Sequence, residues 1–332
     1  MKILFLTPWY PDDAQPNHGI FIRDQVEALA AAGHAVRVIC CKVDYSRFGI
    51  LRRTSSTKEG QVRTTHVSVA GSIPIYNQLN FFIVCVRETM KVVREFRPDI
   101  LHGNIGYPGA FWSWLVSRRT GVPWVITEHT LLQNNFRSPL HRLLTVRFMK
   151  RAARVITVSR HSAEVIRRHI RTEAVVIPNI VDFSRFNSIP PFPDSPPVRI
   201  GFLGSSFFRK KGFDLLLKAI KGIEGIELHI GGQDTSEHES FVNLARNSSV
   251  PCVFHGALVR DQVPAFMTRL HFFVSASRFE SFGVAIAEAL ACGLPVVTTD
   301  SGGPADFVGT DDGRSEEHTS ELQSHLNLVC RL

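Results

Sequence analysis

The chain lacks the features that identify several large protein classes. It has no run of about 18 apolar residues, which argues against a transmembrane helix. Its six cysteines form no Cys-x-x-Cys pair and no zinc-like spacing, so we expect the reduced, mostly buried thiols of a cytosolic protein. The motifs Gly-x-Ser-x-Gly, Gly-x-Gly-x-x-Gly and Gly-x-x-x-x-Gly-Lys are missing, which argues against a hydrolase, a dinucleotide-dependent dehydrogenase and a P-loop enzyme.

The composition is that of a globular protein. Apolar residues make up 44% of the 332 residues and charged residues 20%, and this length favours two α/β domains or one large barrel. Short apolar runs alternate with helix-period segments, which is typical of a parallel sheet built from βαβ units. The predicted strands lie near 2–7, 35–41, 62–69, 100–104, 124–127, 155–158, 174–177, 198–203, 228–230, 252–255, 271–275 and 295–298.

A proline-rich segment interrupts this alternation. Residues 188–197 include five prolines, which have no backbone N–H to donate, so the segment predicts a linker. We therefore expect a first Rossmann-like domain over 1–187 and a second over 198–313. Two such domains facing each other leave a cleft at the carboxyl ends of their strands, where ligands bind.

The net charge of +8 is unevenly distributed. Residues 1–185 hold 26 Lys and Arg against 13 Asp and Glu, whereas residues 186–332 hold 12 against 17. Ten of the basic residues lie between Arg137 and Arg171 with a single acid, Glu164. Two interpretations stay open, a solvated helix face or a surface that docks on anionic lipid or an acidic acceptor. The run lacks the interleaved aromatic residues of a nucleic-acid platform, so we expect no nucleic-acid partner.

The stretch from Glu280 to Gly293 is the most informative motif. It follows a predicted strand and begins a predicted helix at Gly283, where free N–H groups and the positive end of the helix dipole favour an anion such as a diphosphate. Glu280 and Glu288 are eight residues apart, so their carboxylates are expected to reach different parts of one extended ligand. The spacing alone also fits a structural alternative, with Glu280 as a helix-start acid and Glu288 as a surface residue.

Glu280-x7-Glu288, with Ser281-Phe282-Gly283 between them and Ala-Cys-Gly-Leu-Pro-Val-Val after them, resembles the donor-site signature of retaining glycosyltransferases of family 4, which have the GT-B fold. Further landmarks follow in the family's order over about residues 1–313. They are Gly19 of a glycine loop, Thr127-Glu128-His129-Thr130, Ile177-Pro178-Asn179-Ile180-Val181-Asp182, and Lys211-Gly212.

The resemblance implies a role for each matching residue. Lys211 is expected to pair with the donor diphosphate, together with the backbone near Phe282 and Gly283. Glu280 is expected on hydroxyls of the donor sugar and Glu288 on the ribose. His129 is expected close to the reacting centre, although a lone histidine after a strand also fits a satisfied loop residue. Ser281 joins the donor-binding set, and Gly19 the loop that faces donor and acceptor.

The resemblance also predicts which groups are not needed. No Asp-x-Asp occurs in the chain, and this is the pair that holds a divalent ion in the other main glycosyltransferase fold. Lys211 and the helix dipole can neutralise the leaving diphosphate instead. We therefore expect no metal and no cofactor, with the UDP- or GDP-sugar acting as a substrate.

Two positions depart from the family pattern. The family commonly has an arginine after the glycine that ends the second domain's first strand, but here Ser205 follows Gly204. Arg209 or Lys210 is the expected substitute. Residues 314–332 resemble nothing in the family, so we expect an artefactual tail joined to a truncated, incomplete second domain.

The sequence thus predicts a retaining, metal-independent hexosyltransferase. Its expected acceptor is a saccharide or lipid-linked precursor of a surface polysaccharide or glycolipid, and its expected location is cytoplasmic, peripheral at the inner face of the plasma membrane. The alternative is a non-catalytic nucleotide-sugar-binding protein on the same scaffold. A nucleotide-sugar epimerase of the same fold is disfavoured by the Glu280-to-Glu288 segment.

Overall fold

A computed structural model describes residues 1–44, 52–70, 74–132, 136, 138–186, 196–204, 209–232, 238–308 and 328–331. The chain divides into two compact units, Met1–Ile180 and Val181–Leu332. Each has its own sheet and its own hydrophobic core.

Unit 1 is built on one mixed sheet. Its described strands are β1 Lys2–Thr7, β2 Ala35–Asp44, β3 Arg52–Glu59, β4 Val62–Ala70, β5 Ile100–Asn104, β6 Trp124–Glu128, β7 Arg154–Thr157 and β8 Ala174–Val176. Their order is β3-β4-β2-β1-β5-β6-β7-β8, and every pair is parallel except β3 with β4. The described helices are α1 Ile20–Ala31, α2 Pro74–Phe96, α3 Gly109–Thr120, α4 Pro139–Met149 and α5 Arg160–Ile170.

The apolar runs of unit 1 become strands because both faces of the sheet are covered. Along β1, Leu4 and Leu6 pack into one apolar cluster while Ile3 and Phe5 pack into another on the opposite face. A strand buried on both faces needs a continuous apolar run, and such a run is what parallel sheets contain. Strand order reverses between β1 and β5, so their carboxyl ends mark a topological switch point.

Unit 2 repeats the arrangement with a smaller sheet. Its described strands are β9 Val198–Leu203, β10 Ile226–Gly231, β11 Cys252–Phe254, β12 Phe272–Ser275, β13 Val296–Thr299 and β14 Leu328–Arg331. Their order is β11-β10-β9-β12-β13-β14, and all pairs are parallel except β13 with β14. The described α-helices are α6 Phe213–Ala219, α7 His238–Arg246, α8 Val263–Met267 and α9 Val284–Ala291. Order reverses between β9 and β12, which is the second switch point.

The predicted α/β class and the predicted strands are confirmed. The edge strands β3 and β14 were not predicted. Arg52–Glu59 lacks the apolar pattern used to find strands, and Leu328–Arg331 lies in the segment 314–332 that was expected to be an artefactual tail. Residues 188–195 of the predicted linker and 314–327 of the predicted tail lie outside the described residues, as does Ser205. The domain boundaries stay predictions. Among the helices that the structure describes, none combines the length and apolar character needed to cross a bilayer.

Candidate functional site

Two loops at the switch point of unit 2 carry charged side chains that meet. One leads from β9 to α6 and includes Lys211, and the other leads from β12 to α9 and includes Glu280. Lys211 Nζ lies 2.6 Å from Glu280 Oε1, and the side chains are only 28% and 14% exposed. Residues 69 positions apart in the sequence thus form an ion pair at the carboxyl ends of neighbouring strands.

Glu280 is fixed by its surroundings. Ser277 Oγ donates to Glu280 Oε1 at 2.8 Å, the Glu280 N–H donates to the Ser301 carbonyl, and the Glu280 carbonyl accepts from the Gly303 N–H. Burial works against ionisation of this carboxyl, but the Lys211 ammonium and the Ser277 hydroxyl outweigh it and hold the pKa of Glu280 below its ordinary value. The side chain is therefore an anion at neutral pH and accepts hydrogen bonds only.

The N-terminus of α9 lies just after Glu280. Gly283 precedes the helix with φ of 91°, a left-handed conformation that glycine adopts without strain. Phe282 is buried against the Phe307 ring at a centroid distance of 5.0 Å, which anchors the loop. Ser281 is half-buried in the same turn, and Glu288 is half-buried within α9. The backbone N–H groups at the N-terminus of α9 thus lie close to the Lys211–Glu280 pair.

In unit 1 the helix that follows Gly19 contacts the ring of His129. Gly19 precedes α1 with φ of 76°, and a Cβ there would lie 2.8 Å from the Trp9 carbonyl carbon and oxygen, so only glycine fits. Phe21, two residues later, contacts the His129 ring at a centroid distance of 4.7 Å. The first turn of α1 and the β6–α4 loop thus meet at the His129 ring.

The protonation of His129 follows from its partners. Asn104, at the end of β5, donates from Nδ2 to the His102 carbonyl at 3.3 Å, so its Oδ1 faces His129 Nε2 at 3.0 Å as an acceptor. His129 therefore carries its proton on Nε2, and Nδ1 is left with a lone pair. Within the described part of the chain, buried Nδ1 makes no hydrogen bond of good geometry, although the Asn179 side chain lies close enough to interact with the ring.

His129 is neutral at any ordinary pH. Burial above all, with a smaller contribution from the neighbouring His102, lowers the pKa of the ring to about 3, although the Asn179 side chain raises it slightly. Glu128 holds the loop in place, because its buried carboxylate accepts from Gly106 N–H at 2.7 Å and from the N–H and hydroxyl of Thr130. A neutral imidazole in this position can accept a hydrogen bond but cannot supply a positive charge.

The buried neutral ring has a measurable consequence. The folded state excludes a proton that the unfolded state binds below pH 6.5, so the contribution of His129 to the free energy of unfolding falls as pH drops from 6.5 towards 3. By pH 5 this loss is about 2 kcal/mol, since one pH unit corresponds to about 1.4 kcal/mol. We expect the stability difference between the wild type and His129→Gln to shrink by that amount between pH 7.5 and 5.0 in urea unfolding. An imidazole that titrates near 6.5 by NMR contradicts this prediction.

Two family models match the chain. The model described as Glycosyltransferase Family 4 matches residues 18–185, which is half of the chain, and the model described as Glycosyl transferases group 1 matches residues 197–323. The chain belongs to glycosyltransferase family 4. The second match ends inside the segment 314–332, which the sequence analysis expected to be foreign to the family.

Curated relatives are consistent with this family. The chain is 25% identical over 337 residues to the "Putative teichuronic acid biosynthesis glycosyltransferase TuaC" of Bacillus subtilis, covering 93% of this chain and 83% of that protein. It is also 25% identical to one subunit of the phosphatidylinositol N-acetylglucosaminyltransferase of Arabidopsis thaliana, covering 94% of this chain and 70% of that protein.

Solved structures agree on the fold. The sucrose-phosphate synthase of Thermosynechococcus elongatus matches with a TM-score of 0.74 at 19% identity, covering 94% of this chain and 85% of that one. Anabaena HepE in complex with UDP and glucose matches with a TM-score of 0.67 at 17% identity, covering 93% and 83%. The GT-B fold class predicted from the sequence is confirmed, whereas the incompleteness of the second domain stays a prediction.

Within this family 4 chain the predicted residues form two groups. Lys211, Glu280 and Gly283 come together in unit 2, with Arg209 exposed in the Lys211 loop. In unit 1 His129 contacts Phe21, two residues after Gly19. The residues that hold these groups were not predicted from the sequence. They are Ser277, Arg278, Asp214 and Asn104, together with the supporting role of Glu128. Their position at the carboxyl ends of strands β5, β6 and β12, or at the start of α6, is the signal that points to them.

Proposed function

We propose that this chain transfers a hexose from a nucleotide-diphosphate sugar with retention of anomeric configuration. The observation that carries the proposal is the half-buried Lys211–Glu280 ion pair next to the N-terminus of α9. A cation and free N–H groups suit a diphosphate, and a fixed carboxylate suits sugar hydroxyls. This combination matches the two ends of a nucleotide-sugar donor.

The chemistry assigns each group a task. Departure of the nucleotide builds negative charge on the diphosphate, which Lys211 and the α9 N–H groups stabilise. Glu280 accepts hydrogen bonds from donor-sugar hydroxyls and thereby orients the anomeric carbon. His129, which is neutral and oriented by Asn104, accepts a hydrogen bond from a sugar hydroxyl. Glu288 binds the ribose hydroxyls, while Arg209 and Ser281 complete the phosphate end.

These groups supply the positive charge themselves, so we propose transfer without a divalent metal and without a cofactor. The donor class is suggested by the HepE structure, which holds UDP and glucose, and a GDP-sugar is the alternative. The names of TuaC and of the phosphatidylinositol N-acetylglucosaminyltransferase suggest a surface polysaccharide or a glycolipid as the acceptor class.

A donor panel tests this proposal. The purified chain is incubated with UDP- and GDP-hexoses and with lipid-extract acceptors, and nucleotide release is measured with and without EDTA. We expect release with one donor that persists in EDTA, and a product whose anomeric configuration by NMR equals that of the donor. Inversion, or loss of release in EDTA, contradicts the proposed mechanism. Nucleotide binding without turnover favours the non-catalytic alternative.

We also propose that unit 1 contacts an anionic membrane at the cytoplasmic face. The α4 patch, defined as Leu140, Arg142, Leu143 and Arg147, is exposed, with the leucines 63% and 61% accessible. Leu79 and Ile83 of α2 are also exposed, and aromatic contacts from Phe82 through Tyr107 to His141 connect the two helices. Single exposed leucines are ordinary, but several among arginines fit a lipid headgroup region.

Vesicle co-sedimentation tests the patch. We expect binding to vesicles with anionic lipid at low salt. Arg142→Glu/Arg147→Glu is expected to weaken it about 30-fold or more, because two basic residues near such a surface contribute about 2 kcal/mol together. Leu140→Ser/Leu143→Ser is expected to weaken it as well, because it removes exposed apolar surface. Ile223→Ser, at an exposed apolar side chain of unit 2, is the matched control. Equal binding of the patch variants and the wild type contradicts the proposal.

A further inference from the structure

We propose that Arg278 and Asp214 are positioning residues that clamp the two loops of the donor site and thereby set the affinity for the donor. This inference rests on the proposed function, because it assumes that Lys211 and Glu280 bind a nucleotide-diphosphate sugar. It adds two residues that neither the family resemblance nor the motif spacing identified.

The clamp consists of several hydrogen bonds between the same two loops. Arg278 Nη1 and Nη2 donate to Asp214 Oδ1 and Oδ2 at 2.9 and 2.8 Å, a bidentate pair. Arg278 Nη1 also donates to the Arg209 carbonyl, and the Arg278 N–H donates to the Lys210 carbonyl at 2.9 Å. One residue of the β12–α9 loop is thus joined to three residues around Lys211.

The location of the clamp connects it to the site. Arg278 lies two residues before Glu280, and Asp214 lies three residues after Lys211, in the first turn of α6. α6 is held rigidly, since Phe213, Leu216 and Leu217 are buried in the core of unit 2. The fork of a guanidinium fixes both distance and angle to a carboxylate, so the clamp aligns the Glu280 loop on a rigid helix.

The clamp matters most when the donor binds. Lys211 and Glu280 hold each other in this structure, but in the proposed complex Lys211 turns to the diphosphate and Glu280 to the sugar. Donor binding therefore breaks the Lys211–Glu280 ion pair between the two loops, although both loops must be in position to bind the donor. The Arg278–Asp214 pair does not contact the donor in this proposal and keeps the two loops aligned. Donor binding therefore costs less conformational entropy.

The Arg278–Asp214 pair is expected to affect donor affinity more than the free energy of unfolding. The two side chains are 37% and 25% exposed, and an isolated pair of this exposure contributes little to folding. The guanidinium lowers the pKa of Asp214, so the pair is ionised at neutral pH. We therefore expect variants that fold normally and bind the donor less well.

The test is steady-state kinetics of Arg278→Gln, Arg278→Lys and Asp214→Asn, with Arg185→Gln as the matched control. Arg185 has nearly the same exposure as Arg278 and also pairs with aspartates, Asp182 and Asp261, neither of which belongs to the Lys211 loop or the Glu280 loop. We expect Arg278→Gln and Asp214→Asn to raise the donor KM about 5- to 10-fold, with acceptor KM within about twofold and kcat changed less. Arg278→Lys keeps the positive charge but loses the bidentate geometry, so its donor KM is expected to lie between those of the wild type and Arg278→Gln.

The outcomes separate this inference from the proposed function. A wild type that turns over while the variants keep its donor KM overturns the clamp alone. A fall in kcat with unchanged donor KM also overturns it, because partial unfolding lowers the active fraction without altering affinity. A wild type that binds no nucleotide overturns the proposed function and the clamp with it. If the wild type binds nucleotide without turnover, dissociation constants from calorimetry replace KM in the same comparison.

Discussion

Lys211→Ala is expected to lower kcat for sugar transfer by about 10²- to 10³-fold. Under the proposed function the Lys211 ammonium faces the phosphate charge that grows as the nucleotide leaves, and removing one such fixed partner from a partly buried site has a cost of that size. Nucleotide release with saturating donor measures the effect. Lys218→Ala, at an exposed lysine in the last turn of α6, is the matched control and is expected to keep wild-type activity.

The same substitution also affects folding, and the two effects are separable. Without Lys211, the Glu280 carboxylate loses its charged partner while it stays largely buried, which destabilises unit 2 by about 1–3 kcal/mol. The double variant Lys211→Ala/Glu280→Gln removes the unpaired charge and is expected to regain much of this stability without regaining turnover. A wild-type kcat in Lys211→Ala contradicts the site assignment. If the double variant recovers both stability and turnover, the lower kcat of Lys211→Ala was caused by impaired folding.

Gly212→Ala is expected to destabilise unit 2 by about 2–5 kcal/mol. Gly212 precedes α6 with φ of 68°, and a Cβ there would overlap the Ala276 carbonyl of the neighbouring loop. The left-handed conformation alone costs an alanine about 1–2 kcal/mol, and forcing the two loops apart adds about 1–3 kcal/mol. The free energy of unfolding from urea titration measures the change.

Gly222→Ala separates these two contributions. Gly222 has φ of 81°, but no atom lies within 4 Å of the position that its Cβ would occupy. We therefore expect a loss of about 1–2 kcal/mol at Gly222, from conformation only. If both variants lose the same free energy of unfolding, the two loops move apart at little cost to admit the methyl group at position 212. The comparison also reports on the donor site, because the Gly212 contact joins the loops of Lys211 and Glu280.

The architecture follows from local patterns in the amino-acid sequence. Parallel strands buried on both faces require continuous apolar runs, and helices that cover them require a 3.6-residue period, so β1 and β9 through β13 were predictable from local pattern. Glu280 and Gly283 lie in a motif that directly follows a predictable strand, whereas Lys211 was identified through the resemblance to the family. β3 was not, because an edge strand such as Arg52–Glu59 is specified mainly by its hydrogen bonds to β4.

The pairing of side chains, in contrast, depends on the folded chain. The Lys211–Glu280 pair and the Arg278–Asp214 pair join positions 69 and 64 residues apart, and the contact of Asn104 with His129 spans 25. Such contacts depend on the strand order, which brings β9 beside β12 and β5 beside β6, and on the closeness of loops that glycine permits at Gly212. Local sequence patterns determine which segments become helices and which become strands. The order in which the crossover connections place the strands determines which loop residues can pair.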